Sequence, residues 1–188
     1  MHRILALGAA ALLAGCAPGG GFGSAPTLEA AAARLPPEVA GFSRGSAVWH
    51  ERERPGQGVS VEYAGPQRAA VATVSLYDRA QAPVGASDPR LGAEFSSAVA
   101  EVVSLAGTRT SQQMAEGARA EVPVPGGAPL SCARLDGTYG RQPVQTLVCL
   151  GSAAGRYLKI QVTSPQRQVR PVDPMPFVVG ITQAARGA

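Results

Sequence analysis

Residues 157–163 read Tyr-Leu-Lys-Ile-Gln-Val-Thr, with Leu158, Ile160 and Val162 alternating strictly with Lys159, Gln161 and Thr163. Successive side chains of a strand point to opposite faces, so this stretch predicts a β-strand buried on one face and polar on the other. The same period of two governs the first half of the chain. Phe42 to Glu51 predicts one strand, and Val59, Val61 and Tyr63, alternating with Ser60 and Glu62, predict the next. The charges between them, His50 to Gly58, alternate in sign and read as a solvated hairpin tip in which Glu51 and Glu53 pair with neighbouring arginines. Ala69 to Tyr77 is almost wholly apolar or β-branched, the pattern of a central strand covered on both faces.

Helical periodicity interrupts the strands once at length. Leu91, Phe95, Ala98, Val99, Val102 and Ala106 fall on one face, and Arg90, Glu94, Ser97, Glu101 and Ser104 on the other. Asp88 stands at the N-cap with Pro89 at the first helical position, and Gly107 stands where a left-handed stop belongs. The expected helix packs on a sheet whose other side is wet. A shorter helix is expected after Thr27, through Leu35, ended by Pro36-Pro37, and it must dock to persist. A last helix over 174–186 follows the cap signature Asp173-Pro174, with Phe177, Val178, Ile181 and Ala185 as its buried stripe.

In the second half, Gln112 to Met114 and Arg119 to Val124 are weak strand signals, interrupted by Gly117 and Pro123. Leu130 to Leu135 and Val144 to Leu150 carry Cys132 and Cys149. If these two strands form an antiparallel hairpin with the cysteines opposite each other, the turn centres between Gly140 and Arg141, within a stretch rich in turn residues. Facing Cα atoms in such a ladder lie about 4.5–5.5 Å apart, which a disulfide spans. A disulfide is therefore expected; free buried thiols or a metal or redox pair are the alternatives, with no C-x-x-C spacing to favour them.

The order is strands, helix, strands, helix. It predicts the α+β class: an antiparallel β-sheet of about six to eight strands, with one long amphipathic helix and a C-terminal helix packed on it. The layout of residues 36–188 resembles that of PsbP-like bacterial lipoproteins, and carries no diagnostic motif from which a functional residue would follow.

The first residues place the chain. A basic start at His2 and Arg3 precedes an apolar run from Ile4 to Leu13, then small residues and a cysteine. This is the pattern of a secretory signal peptide, and the run is shorter than the roughly 20 apolar residues a membrane span needs. Leu13-Ala14-Gly15-Cys16 resembles the lipobox of bacterial lipoproteins. The resemblance implies that residues 1–15 are removed, that Cys16 becomes the mature N-terminus and carries the lipid, and that several acyl chains give a durable anchor. With Ala17 rather than Asp after the cysteine, it also implies the outer membrane, facing the periplasm. An oxidising compartment of that kind suits the Cys132–Cys149 pairing. Residues 16–26, rich in Gly and Pro, read as a lipidated flexible tether, and residues 27–188 as one α+β domain.

The formal charge of +4 includes Arg3, which leaves with the signal, and no run of basic residues exists, so nucleic acid is not an expected partner. Lys159 is the only lysine, and arginine in its place throughout reads as genome composition rather than anion recognition. After residue 15 the only histidine is His50, too few for a His-based metal cluster, and no nucleophile elbow accompanies it. Asp88 and Asp173 are taken as caps and Asp136 as a turn residue, and no spacing picks a catalytic carboxylate pair from the rest. No glycine cluster lies between a strand and a helix to cradle phosphate, and no cofactor is expected. Trp49 reads as core or a half-buried lid, or as the lining of a ligand groove if Tyr63 or Tyr77 joins it. The expectation is a non-enzymatic accessory protein of the cell envelope, bound to the membrane through its lipid and to another, unnamed envelope protein. The alternative is a lipoprotein that holds a small apolar ligand or lipid between helix and sheet.

Overall fold

A computed structural model describes residues 25–81, 83–108 and 112–187. The chain folds as an α+β structure around one curled antiparallel sheet of eight strands, in the order β1-β2-β3-β4-β8-β7-β6-β5. In sequence these are β1 (Glu38–Val39), β2 (Phe42–Trp49), β3 (Val59–Ala64), β4 (Val71–Tyr77), β5 (Gln112–Val124), β6 (Gly127–Tyr139), β7 (Gln142–Ala153) and β8 (Arg156–Pro165). The helices are α1 (Leu28–Ala33), α2 (Arg90–Thr108) and α3 (Met175–Arg186). Each half of the chain forms a meander, and the connection through α2 brings the last strand, β8, beside β4.

The helices do not share one face, as the sequence had suggested. Val148 and Leu150 pack with Phe95, Ala98, Val99 and Val102 of α2, whereas Cys149 between them packs in the core that holds α1 and α3. Neighbouring residues of one strand point to opposite faces, so α2 covers one side of the sheet and α1 with α3 the other. The sheet is therefore sandwiched over much of its area, not wet on one side. The unbroken apolar run Leu147 to Leu150 has this cause.

Each face is closed by a few large side chains. Phe177 of α3 lies 4.3 Å, centroid to centroid, from Phe42 and 5.3 Å from Tyr63. Tyr63 donates its hydroxyl hydrogen to the carbonyl of Pro36 at 2.7 Å, so the buried phenol is satisfied. Arg44 donates to the carbonyls of Leu35 (2.6 Å) and Ala32 (3.4 Å), capping the end of α1 that has no helical partners. Thr27 caps its start by accepting from the Ala30 N–H at 3.2 Å.

Several local expectations meet the structure directly. Asp88 accepts from the Arg90 N–H and Asp173 from the Met175 N–H, both at 2.9 Å. But α2 begins at Arg90 and α3 at Met175, so each aspartate stands one residue before the N-cap position expected of it, and Pro174 is the N-cap of α3. The long helix does not stop at Gly107 but runs to Thr108. The first strand ends at Trp49, in a 3₁₀ turn over 50–52, two residues earlier than its pattern indicated. The two weak signals on either side of Gly117 form the single 13-residue strand β5, with register shifts after Glu116 and after Val122. Gly117 occupies the first irregularity, and Pro123 is tolerated because β5 is an edge strand.

Candidate functional site

Cys132 and Cys149 face each other across β6 and β7 and form a disulfide, with Cα atoms 4.1 Å apart. The turn falls at Gly140-Arg141, as the register required. Asp136 is not in that turn but inside β6, where it accepts from Gln145 at 3.2 Å and Gln166 at 2.9 Å. Cys16 and the rest of the Leu13-Ala14-Gly15-Cys16 stretch lie outside the described residues.

A grouping of titratable side chains sits where α2 crosses β4 and β8, and the sequence reading, which put Glu94 and Glu101 on the helix face away from the core, did not bring it together. Glu94 Oε1 accepts from the Tyr77 hydroxyl (2.8 Å) and from Arg79 Nη2 (2.7 Å) and Nε (3.2 Å). The Arg79 guanidinium also lies 5.0 Å from the centroid of the Tyr77 ring. One turn pair further along α2, Glu101 accepts from Lys159 of β8 at 2.9 Å. Burial, with the Glu94 carboxylate as the next cause, raises the Tyr77 hydroxyl pKa far above its ordinary value, so this phenol stays a hydrogen-bond donor. The group is closed on itself: its charges are matched, and what it does is clamp α2 to the sheet.

His50 reaches this side of the sheet through two serines. Its Nε2 lies 3.2 Å from Ser60 Oγ, which lies 2.9 Å from Ser75 Oγ. Trp49 is half-buried and lines an open cleft of about 430 Å³ with Leu28, Glu29, Glu51 and Arg52. Tyr63 is packed on Phe177, and Tyr77 belongs to the other face, so neither joins Trp49 in an aromatic groove. Among the described residues Glu53 pairs with no arginine, and neither does Glu51. Its carboxylate accepts from the N–H groups of Gly56 (2.9 and 3.0 Å) and Gly58 (2.8 Å) and so shapes the hairpin tip. Among the described residues no group of three or more His, Cys, Asp and Glu is placed to hold a metal ion, and no helix is long and apolar enough to cross a membrane.

A different surface gathers at one end of the sheet. The turn over 66–68, the Gly140-Arg141 turn and the segment after β8 all lie there, because β3, β6 and β8 end, and β4 and β7 begin, at that end. They bring together Arg68, Arg141, Arg167 and Arg170, all exposed. Gln67, Gln142, Gln168, Arg167 and Arg170 line an open cleft of about 530 Å³. Gln168 donates to the Ala69 carbonyl at 2.7 Å, while its Oε1 is buried without a partner. Gln67 and Arg68 both hold left-handed backbone, with φ of 52° and 58°, which side chains bearing Cβ adopt at a cost. Large apolar side chains are exposed at the same end: Val169 fully, Tyr139 at 61% and Val71 at 59%.

The chain matches no family model, and no curated protein matches it. The site at this end therefore rests on its own geometry. The sequence signal for it is short: Arg167-Gln168-Val169-Arg170, an exposed apolar residue between two arginines in a proline-bounded segment.

Proposed function

We propose that this protein is a lipid-anchored accessory protein of the bacterial cell envelope, held at the outer membrane through Cys16 and facing the periplasm, where it binds another envelope protein. The observation that carries this reading is the concentration of exposed Val71, Tyr139 and Val169 at one end of the sheet. Exposed apolar side chains rimmed by polar and charged groups mark sites of protein contact. The space beneath α2, by contrast, is filled, with Phe95 and Val99 packed among Leu135, Val148, Leu150 and Tyr157.

The exposed end also lies far from the start of the described chain. The described chain starts beside the other end, where Arg156 donates to the Pro26 carbonyl at 2.8 Å next to the β7–β8 turn. The 12 residues of β7 separate the two ends by roughly 40 Å at about 3.3 Å per residue. A lipid on Cys16 would thus hold one end near the bilayer and present the other to the periplasm. The lipobox resemblance supports a lipid at Cys16.

A second reading, a carrier of a small apolar ligand, is favoured by one feature, the cleft between Trp49 and Leu28. One experiment separates the two. Native protein is crosslinked in the envelope and captured beside a Cys16→Ala control, and co-purifying proteins and lipids are identified by mass spectrometry. A stoichiometric protein partner that the control loses is the expected result; a bound lipid with no protein partner contradicts the accessory reading.

A further inference from the structure

We infer that the end of the sheet bearing Arg68, Arg141, Arg167 and Arg170 is the docking surface of this accessory protein, and that it receives an acidic segment of the partner. The inference rests on the accessory reading and names the chemistry of the partner.

The first argument is charge. None of these four arginines makes a side-chain hydrogen bond or ion pair among the described residues. At the opposite end Arg79 is matched by Glu94, Arg90 by Asp88 and Arg156 by Asp78, while Arg52 and Arg54 of the hairpin tip are, among the described residues, also without an ion pair and stand beside Glu53. Of the carboxylates near the four, Asp136 is occupied by two glutamine amides and Asp173 by the first turn of α3. Clustered like charges repel one another, and an acidic counterpart relieves this and speeds encounter.

The second argument is the unfilled acceptor. Gln168, whose buried Oε1 lacks a donor, lines the cleft with Gln67 and Arg170. A buried acceptor left unpaired costs free energy, and such a cost is expected at functional sites rather than elsewhere in a fold. Gln67, which lines the same cleft, and Arg68 after it hold left-handed backbone, the kind of strained turn that recurs at binding sites.

The third argument decides between a protein and a membrane. A cleft lined by the side chains of Gln67, Gln142 and Gln168 fits a chain segment better than a flat headgroup layer. Val169 and Tyr139 beside the arginines supply the apolar and aromatic contacts that dominate protein interfaces.

The test places the photocrosslinking residue p-benzoylphenylalanine at position 169 of the full-length chain in its native envelope, with and without Arg167→Glu and Arg170→Glu. Both charge reversals lie on exposed side chains, and thermal unfolding confirms that each variant keeps its fold. The expected result is an adduct whose crosslinked peptide is rich in Asp and Glu, reduced roughly tenfold or more by the double reversal. Replacing the acidic residues of that peptide by Arg then restores the adduct to the reversed variant. Crosslinking to lipid alone, to glycan, or to a peptide without acidic residues overturns the inference, as does an adduct indifferent to the reversal. A partner that chemical crosslinking still captures while position 169 gives no adduct overturns this docking surface and leaves the accessory reading standing. The absence of any partner defeats both.

Discussion

Cys132 and Cys149 occupy facing positions of β6 and β7, eight residues from the Gly140-Arg141 turn on each side, and are bonded through their sulfurs. The bond lies in the core that also holds α3, so it ties the hairpin together where the C-terminal helix docks.

Removing that bond leaves the native contacts in place and loosens mainly the unfolded chain. For a loop of this length, a sequence separation of 17, the expected loss is about 3 kcal/mol. Urea unfolding of the Cys132→Ala/Cys149→Ala variant, beside the oxidised protein, measures it. An unchanged midpoint would contradict the structural role given to the pair.

Tyr77→Phe removes one hydrogen bond to a charged group while leaving the ring in place. Bonds of this kind contribute about 1.5–3 kcal/mol, and because Arg79 still serves Glu94 the expected loss is at the lower limit. Hydrogen exchange should rise along α2 before it rises in β7, since the clamp holds the helix rather than the sheet.

Gly58 has φ of +62°, and a Cβ built on it would stand 1.8 Å from the carbonyl oxygen of Leu76. Gly58→Ala therefore strains the backbone, at about 1–3 kcal/mol for such a conformation, and also pushes β3 from β4. Glu51→Ala acts on the same tip by removing the acceptor for the Gly56 and Gly58 N–H groups. Thermal unfolding should place Gly58→Ala below Glu51→Ala, and both below the parent protein.

Asp88 sets a pH dependence of definite sign. Hydrogen bonds from the Arg90 side chain, first, and then from the Arg90 N–H hold its pKa down, from 3.8 to about 2. A carboxyl whose pKa is lower when folded stabilises the fold above its unfolded value and loses that contribution as pH falls through the folded one. The contribution of Asp88 should thus fade between pH 3.8 and about 2. Stability measured against pH in Asp88→Asn should lack this component, whereas a variant that fades in parallel with the parent would assign the effect to other carboxylates.

Much of the fold was legible because local rules act alone there. The alternation from Leu158 to Thr163 and the cap at Thr27 need no distant contact to be read. The parity of a two-residue turn at Gly140-Arg141 brought the cysteines face to face. What the sequence hid depends on topology. The apolar stripe of a helix shows that it packs, but not on which side of a sheet, so the placement of α2 opposite α3 was not legible. Gly117 reads as a strand break and is in fact an irregularity within β5. Glu51 stands among arginines in the sequence, yet backbone N–H groups five and seven residues on lie nearer to it in space. Arg68, Arg141, Arg167 and Arg170 come from three separate segments, and in a chain with a single lysine each is inconspicuous until the sheet places them at one end.

The anchored accessory reading stands or falls first at Cys16. Its most direct test is intact mass spectrometry of the protein extracted from its native envelope, beside the Cys16→Ala variant. The predicted result is a chain beginning at Cys16 and bearing acyl chains on that residue, with the variant unacylated and retaining residues 1–15. A wild-type chain with an unmodified Cys16 thiol, or one cleaved elsewhere, would contradict it.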